Sequence, residues 1–346
     1  KGNQPLIIVD DVQYTYDQMQ QINVNEIESI SLLKDASTTA IYGIKGANGV
    51  LVVRTRRGTE GKPVINARIE TGIQMPVRKP KFLNSYETAQ LVNEAYENDG
   101  LSNQKPFSEE DIRLFRTGED PYGHPDVNWY DEIYKNTAYQ HNFNLDVSGG
   151  SQRLKYFITG GMFSQNGLVK EFNDPYDEVN TNYFYRRFNY RTNLDFDVTK
   201  TLNLRLDMTS RFMNINEPHS YNTTGEIYDF SKMRPYSAPV MNPNGTYAYH
   251  HDTKDSVQTP NARLATEGYR RIRRYDSNIL FGATQKLDFI TKGLAASARI
   301  AYSSIDENQR RMSRGKNDYP TYHYDSANNS YTINPNSKYT YEPYLA

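Results

Sequence analysis

Phe188-Asn-Tyr-Arg-Thr-Asn-Leu-Asp-Phe-Asp-Val198 and, after the break Thr199-Lys-Thr201, Leu202-Asn-Leu-Arg-Leu-Asp-Met-Thr-Ser-Arg-Phe212 alternate in character residue by residue. In the first stretch Phe188, Tyr190, Leu194, Phe196 and Val198 fall on one face, with Asn189, Arg191, Asn193, Asp195 and Asp197 on the other. In the second, Leu202, Leu204, Leu206, Met208 and Phe212 oppose Asn203, Arg205, Asp207, Thr209 and Arg211. A helix would scatter these charges around its surface, so the period of two predicts strands. Both stretches exceed the usual five or six residues of a soluble strand and reach the 9–11 of a membrane strand.

The same alternation, less clean, recurs on either side, at 63–74, 139–148, 153–164, 275–289 and 294–305, giving about seven strands in all. The links between them alternate in length. Those at Gly149-Gly-Ser151, Thr199-Lys-Thr201 and Thr291-Lys-Gly293 are short; those at 164–183, at 214–275 and after 305 are long. A soluble sandwich also alternates polar and apolar residues. Short turns on one side and long loops on the other are the pattern of an outer-membrane barrel, with the 63–74 strand running outward.

Composition narrows the classes further. The chain has 346 residues with 40 Lys+Arg against 41 Asp+Glu, a net charge of −1, which argues against a nucleic-acid binder. It has no cysteine, hence no disulfide, zinc-thiolate site or catalytic thiol. Mean hydropathy is −0.81, and no run approaches the roughly 18 apolar residues of a membrane helix. With 29 Tyr and 14 Phe the chain is too aromatic for a disordered one. No catalytic constellation stands out. His250-His251 lacks further ligands and reads as solvated loop histidines. Glu109-Glu110-Asp111 reads as the acidic first turn of a helix, and Asp195 with Asp197 as part of a solvated polar lining. No enzyme, metal site or cofactor is therefore expected.

The first sixty residues read differently, as mixed α/β. Leu6-Ile-Ile-Val9 suits a buried strand and Asp10-Asp11 a turn. Asn25-Glu26 opens a helical turn that passes into a strand at Ser29–Leu33, and Asp35 to Tyr42 fits a short helix ended by Gly43. Gly49–Thr55 is β-branched and apolar, hence a strand. Gly43, Gly46 and Gly49 lie after a helix and before a strand, the reverse of a phosphate-binding loop. They read as glycines for positive φ and close packing.

Ser29-Ile-Ser-Leu-Leu-Lys-Asp-Ala-Ser-Thr-Thr-Ala-Ile-Tyr-Gly-Ile-Lys-Gly-Ala-Asn-Gly-Val-Leu-Val-Val-Arg-Thr-Arg-Arg-Gly58 resembles the plug signature of SusC/RagA-type TonB-dependent outer-membrane receptors, and Pro5–Val12 resembles the strand before it. The signature positions are Lys34, Asp35, Ala36, Tyr42, Gly43, Gly46, Ala47, Asn48 and Gly49. The chain departs from the family at Asp11, usually Gly, and at Ile44, usually Ser. The resemblance implies a partial plug over 1–58 and, over 59–346, the N-terminal part of a transmembrane β-barrel of about 22 strands. Seven strands cannot close such a barrel, so the chain is expected to be a piece of a larger receptor.

By resemblance, the function is active import of a nutrient, an oligosaccharide or sometimes a peptide, across the outer membrane. The partners implied are the lipid of that membrane, a SusD-like surface lipoprotein over the barrel mouth, and the TonB-ExbB-ExbD complex acting through a segment absent here. The alternatives are a receptor for a siderophore or haem chelate and a soluble β-rich adhesin or enzyme.

Ser85–Glu97, Ser108–Phe115 and Trp129–Tyr134 read as helical pieces in the first outer loop, and they too resemble the family, as do Met233–Tyr247 and Pro260–Leu264. Tyr221, Tyr228, Tyr236, Tyr247 and Tyr249, with Phe230, sit in the longest loop. Aromatic faces there could contact substrate or partner, or could pack the loop into a folded cap.

Overall fold

The computed structural model describes residues 4–20, 22–172, 181–218, 233–250, 257–315 and 318–338. The N-terminal unit is a four-stranded sheet. It comprises β1 (Leu6–Val9), β2 (Val12–Tyr14), β3 (Ile27–Leu33) and β4 (Val50–Thr55), in the order β2-β1-β4-β3. β1 runs parallel to β4, while β2 and β3 pair antiparallel at the flanks. A short helix α1 (Tyr16–Gln20) and a 3-10 turn (Val24–Glu26) follow β2. α2 (Ala36–Thr39) runs into a second 3-10 segment, Ala40–Gly46, kinked at Gly43 (φ 60°). The helix expected from Asp35 to Tyr42 is thus shorter and continues as a tighter turn. Gly43 and Gly49 (φ 89°) take the positive φ expected of them, and a Cβ on Gly46 would lie 3.0 Å from the Thr39 carbonyl oxygen.

The second unit is a wall of seven antiparallel strands in sequence order. It runs through β5 (Gly61–Gln74), β6 (Ala138–Gly150), β7 (Leu154–Asn166), β8 (Phe184–Asp197), β9 (Leu202–Pro218), β12 (Gly268–Lys286) and β13 (Ala295–Ser313). All seven expected strands are present. Several extend further at the long-loop end, and β12 begins at Gly268 rather than 275, because Arg270, Arg271, Arg273 and Arg274 obscure its alternation. The fold class expected from the sequence, a mixed α/β segment followed by an antiparallel barrel wall, is the one observed.

Register runs without a bulge from β6 to β13, so faces can be followed across strands. One outer row is Ile69, Phe143, Met162, Phe188, Phe212 and Tyr275; another is Ile65, Val147, Ile158, Thr192, Met208, Ile279 and Tyr302. Exposed apolar side chains dominate this face, among them Ile69, Phe143, Phe188, Phe196, Phe281 and Ile300. The band from the Phe196 row to the Phe188 row spans roughly 27 Å of strand, or about 20 Å of height at the usual tilt, close to the ~25 Å apolar band of a membrane barrel.

The connections at the other end of the wall fold together. α3 (Ser85–Asn98) and α4 (Glu109–Thr117) both open with capping boxes, at Asn84 with Glu87 and at Ser108 with Asp111. α5 (Trp129–Ile133) and α6 (Pro260–Thr266) complete the helical content. Two minimal strand pairs, β10 (Tyr249–His250) with β11 (Val257–Gln258) and β14 (Tyr322–Asp325) with β15 (Ser330–Ile333), lie among them. Val127, Trp129, Ala238 and Ala248 form one small core; Tyr247, Ala262, Ala265 and Tyr319 form a second.

Candidate functional site

The N-terminal sheet sits on the inward, polar face of the wall, and the contact is mostly charged. Asp10 and Asp11 make the two-residue turn between β1 and β2 with positive φ of 49° and 73°, as a tight hairpin's twist requires. That turn carries the Asp10 carboxylate to the end of β4, where it accepts hydrogen bonds from Thr55 N at 3.0 Å and Thr55 Oγ1 at 2.5 Å. Glu26 closes the 3-10 turn capped by Asn23, whose Oδ1 accepts from Asn25 N.

Arg191, at the middle of β8, reaches both carboxylates. Its Nε donates to Glu26 Oε2 at 2.9 Å and its Nη1 to Asp10 Oδ2 at 3.1 Å. Asn189 donates to the other Glu26 oxygen at 2.7 Å, and Asn193 donates to Thr55 Oγ1 and to the Arg56 carbonyl. Arg191 and Glu26 are each 2% exposed. Pairing buried charges adds little net stability, but removing one partner strands the others at about 3–5 kcal/mol.

A second node lies one turn of sequence later. Arg57 grips Asp195 bidentately, at 2.7 and 2.9 Å, and donates to Asp207 at 2.9 Å. Asp195 is therefore clasped by the N-terminal unit, which corrects the reading of it as a solvated lining residue. Next to it Gly58 passes so close to β7 that a Cβ would lie 2.3 Å from Tyr156 N; a side chain does not fit there. A third node is Asp11, where the family usually has Gly. Its positive φ explains that preference. Here the aspartate lies 3.3 Å from both Arg205 of β9 and Arg299 of β13.

Apolar contact is local. Leu280 of β12 faces inward and packs with Ile7, Val9, Val12, Tyr14, Ile22 and Val53. Arg211 donates to the Gln18 carbonyl at 2.8 Å, and Asn23 hydrogen-bonds Asn144 of β6.

The sequence singled out other residues. Lys34, Asp35, Ala47 and Asn48 are exposed, and Tyr42 is half-buried. With Ala36 in α2 and Gly43, Gly46 and Gly49, they belong to the connection between β3 and β4. None of them hydrogen-bonds the wall among the described residues. The sequence reads Asp10 only as a turn residue and Glu26 only as part of an opening helical turn. Their partner on β8 could have been sought as an arginine on an inward face.

Among the five tyrosines, Tyr247 and Tyr249 are 5% and 2% exposed, which corrects the expectation that their faces are available for contact. They pack the interior of the folded loops. Tyr236 is half-buried against Phe107, ring centroids 5.0 Å apart. Tyr221 and Tyr228, with Phe230 and His251, lie outside the described residues. A cleft of about 330 Å³ opens nearby, lined by Lys81, Phe82, Trp129, Tyr130, Arg234 and Pro235 among others.

In the same cap His124 bridges two acids, with Nε2 2.9 Å from Asp111 and Nδ1 3.0 Å from Asp120. Burial opposes its charge, but the two carboxylates outweigh that and raise its pKa above the usual value. Asp111 and Asp120 also resist burial's upward push, and their hydrogen bonds, including those with His124, hold them below the usual range.

An α/β sheet ion-paired to the polar face of a strand wall, whose opposite face is an apolar band, is the arrangement of a plug within a β-barrel. The comparisons agree. The TonB-dependent Receptor Plug Domain model matches residues 1–50. TonB-dependent receptor P26 of Formosa agariphila is 28% identical over 270 residues, covering 71% of this chain and 25% of that protein. TonB-dependent receptor SusC of Bacteroides thetaiotaomicron is 26% identical over 221 residues, covering 62% and 19%. The RagAB peptide importer in its open-open state superposes with a TM-score of 0.68 at 22% identity, over 88% of this chain and 34% of that one. Over its N-terminal unit and strand wall the chain is thus similar to TonB-dependent receptors of the SusC/RagA kind. It spans about a quarter of the length of the curated relatives it matches.

Proposed function

We propose that this chain supplies the plug, residues 1–58, and the first barrel strands, within 59–346, of an outer-membrane importer energised through TonB-ExbB-ExbD. The observation that carries the reading is the three-node ionic contact between plug and inward wall, set behind an outward apolar band. Such a contact holds a plug in place at rest. It is also what an energised pull must break, since parting Arg191 from its two carboxylates leaves buried charge uncompensated. The exposed Ile30, Leu32, Ile41 and Ile44 on the β3 side suit cover by the remaining barrel wall.

The cargo we propose is an oligosaccharide, with a peptide as the second candidate because RagAB is a peptide importer. A SusD-like lipoprotein would lid the outer cap, and the cleft beside Trp129 and Arg234, with Tyr236, is the described surface suited to cargo or lid. The test is growth of a strain carrying or lacking the gene on single glycans and on peptide mixtures, with and without a working TonB. Dependence on both the gene and TonB for a glycan supports the reading. Dependence only under iron limitation would favour a chelate receptor instead.

A further inference from the structure

Just beyond the apolar band, on the same outward face, the wall turns basic. The row after Phe188–Phe212–Tyr275 is Arg186, Asn214, Arg273 and Asn308; the next is Phe184, Asn216, Arg271 and Arg310. Arg271 and Arg310 are directly opposed on one face, their Cβ atoms about 5 Å apart, and like charges so placed destabilise a sheet. Arg273 follows two positions along β12, on the same side. Asp306, one row down within the band, is the one acidic residue on this face of β12 and β13 among the described residues. Arg273 and Arg310 are exposed and make no ion pair among the described residues. Arg271 lies over the Tyr269 ring and donates to Asn216 at 3.1 Å, so its guanidinium is held in place with no counter-charge among the described residues.

The inward face of the same strands treats its charges differently. There Arg270 pairs with Glu217 and Arg274 with Asp276. Among the described residues the outward arginines have no such partner, which leaves their charge to be met by what that face contacts. The long connections emerge at this end, so the level is the headgroup zone of the outer leaflet. We propose that Arg271, Arg273 and Arg310 form a binding site for the phosphate of an outer-leaflet lipid, with Arg186 and Asn214 extending it across β8 and β9. Arginine presents a planar fork of donors that matches phosphate oxygens, and three such forks spread over two strands suit a headgroup bearing more than one phosphate. The site rests on the reading of the wall as membrane-spanning.

The receptor expressed from its whole gene is extracted from its outer membrane and offered diphosphorylated lipid A or its dephosphorylated form, and bound lipid is counted by native mass spectrometry. The wild type should retain the phosphorylated form preferentially. The triple variant R271Q/R273Q/R310Q should weaken that retention on the order of a hundredfold, at roughly fivefold per basic residue. K292Q, in the exposed short turn at the opposite end of the wall, should leave it unchanged. Equal retention by wild type and triple variant overturns the site, as does retention indifferent to phosphate. Displacement by inorganic phosphate with no lipid retained also overturns it, as does loss of a co-purifying protein in place of lipid. Heat-modifiable migration of the same samples reports barrel integrity separately. A protein that shows no such migration and partitions without detergent refutes the membrane reading, and the lipid site with it.

Discussion

Arg191 carries the largest single-residue consequence in the chain. Its guanidinium is shared by Glu26 and Asp10 in a site closed to solvent, so Arg191→Met leaves two carboxylates buried without a cation. The expected cost is about 3–5 kcal/mol of plug docking, read as earlier protease cleavage of the plug in the assembled receptor. Adding Glu26→Gln and Asp10→Asn should restore part of the protection, because the stranded charges go with them. A cleavage rate unchanged by Arg191→Met would mean that the pair is not what holds the plug. His124 makes a second residue-scale prediction. Its raised pKa means that its contribution is complete below about 6.5, the unfolded value, and fades as pH rises through the folded one. The lowered Asp111 and Asp120 contribute above about 3.8 and fade as pH falls through their folded values. Amide protection over 108–124, measured as the exchange rate relative to the unstructured chain at each pH, should therefore be greatest in weak acid and fall above neutrality. His124→Gln should flatten the alkaline limb alone, and an unaltered profile would remove the histidine from the account.

At the scale of the element, the strands obey one rule over the height of the band: inward side chains meet plug or charge, outward ones are mostly apolar. The two-residue period made this legible for β8 and β9, because each alternates cleanly from end to end. It was less legible for β12, whose long-loop half carries arginine on both faces. Register adds what periodicity lacks, namely height. Leu204 lies in the outward row of Phe196 and Ala283, at the short-turn edge of the band, whereas Met208 lies in the central row with Thr192 and Ile279. Met208→Arg should therefore cost about 2–4 kcal/mol in assembled barrel, against about 0–1 for Leu204→Arg. Urea titration of the refolded receptor would measure both, and equal costs would place the membrane elsewhere. The outer connections follow a different logic. α3 and α4 were readable from their caps, but the burial of α6 and of Tyr247 and Tyr249 was not. That burial comes from loops distant in sequence closing over one another.

For the whole molecule the question is whether the plug must leave its wall for transport. Residues 1–346 contain no cysteine, so Asn23→Cys and Asn144→Cys place one thiol pair within this stretch, where plug and β6 already hydrogen-bond; any cysteine elsewhere in the receptor is first replaced by serine. Joining them with a short bifunctional thiol reagent should abolish uptake while leaving surface display intact, and either single variant treated alike should transport normally. Full uptake by the joined receptor would show that this part of the plug need not move. The sequence by itself determined the strand wall, its two faces, the alternation of short and long links, and the plug signature. Those are properties of residues near one another along the chain, where side-chain periodicity and turn chemistry act. Only the tertiary structure decided that Asp10, Glu26 and Arg57, read locally as a turn, the opening of a helical turn and part of the plug signature, are the groups that fasten plug to wall. Their partners Arg191, Asp195 and Asp207 lie more than a hundred residues away. A charge's counter-ion is set by which surfaces meet, and no local pattern encodes that.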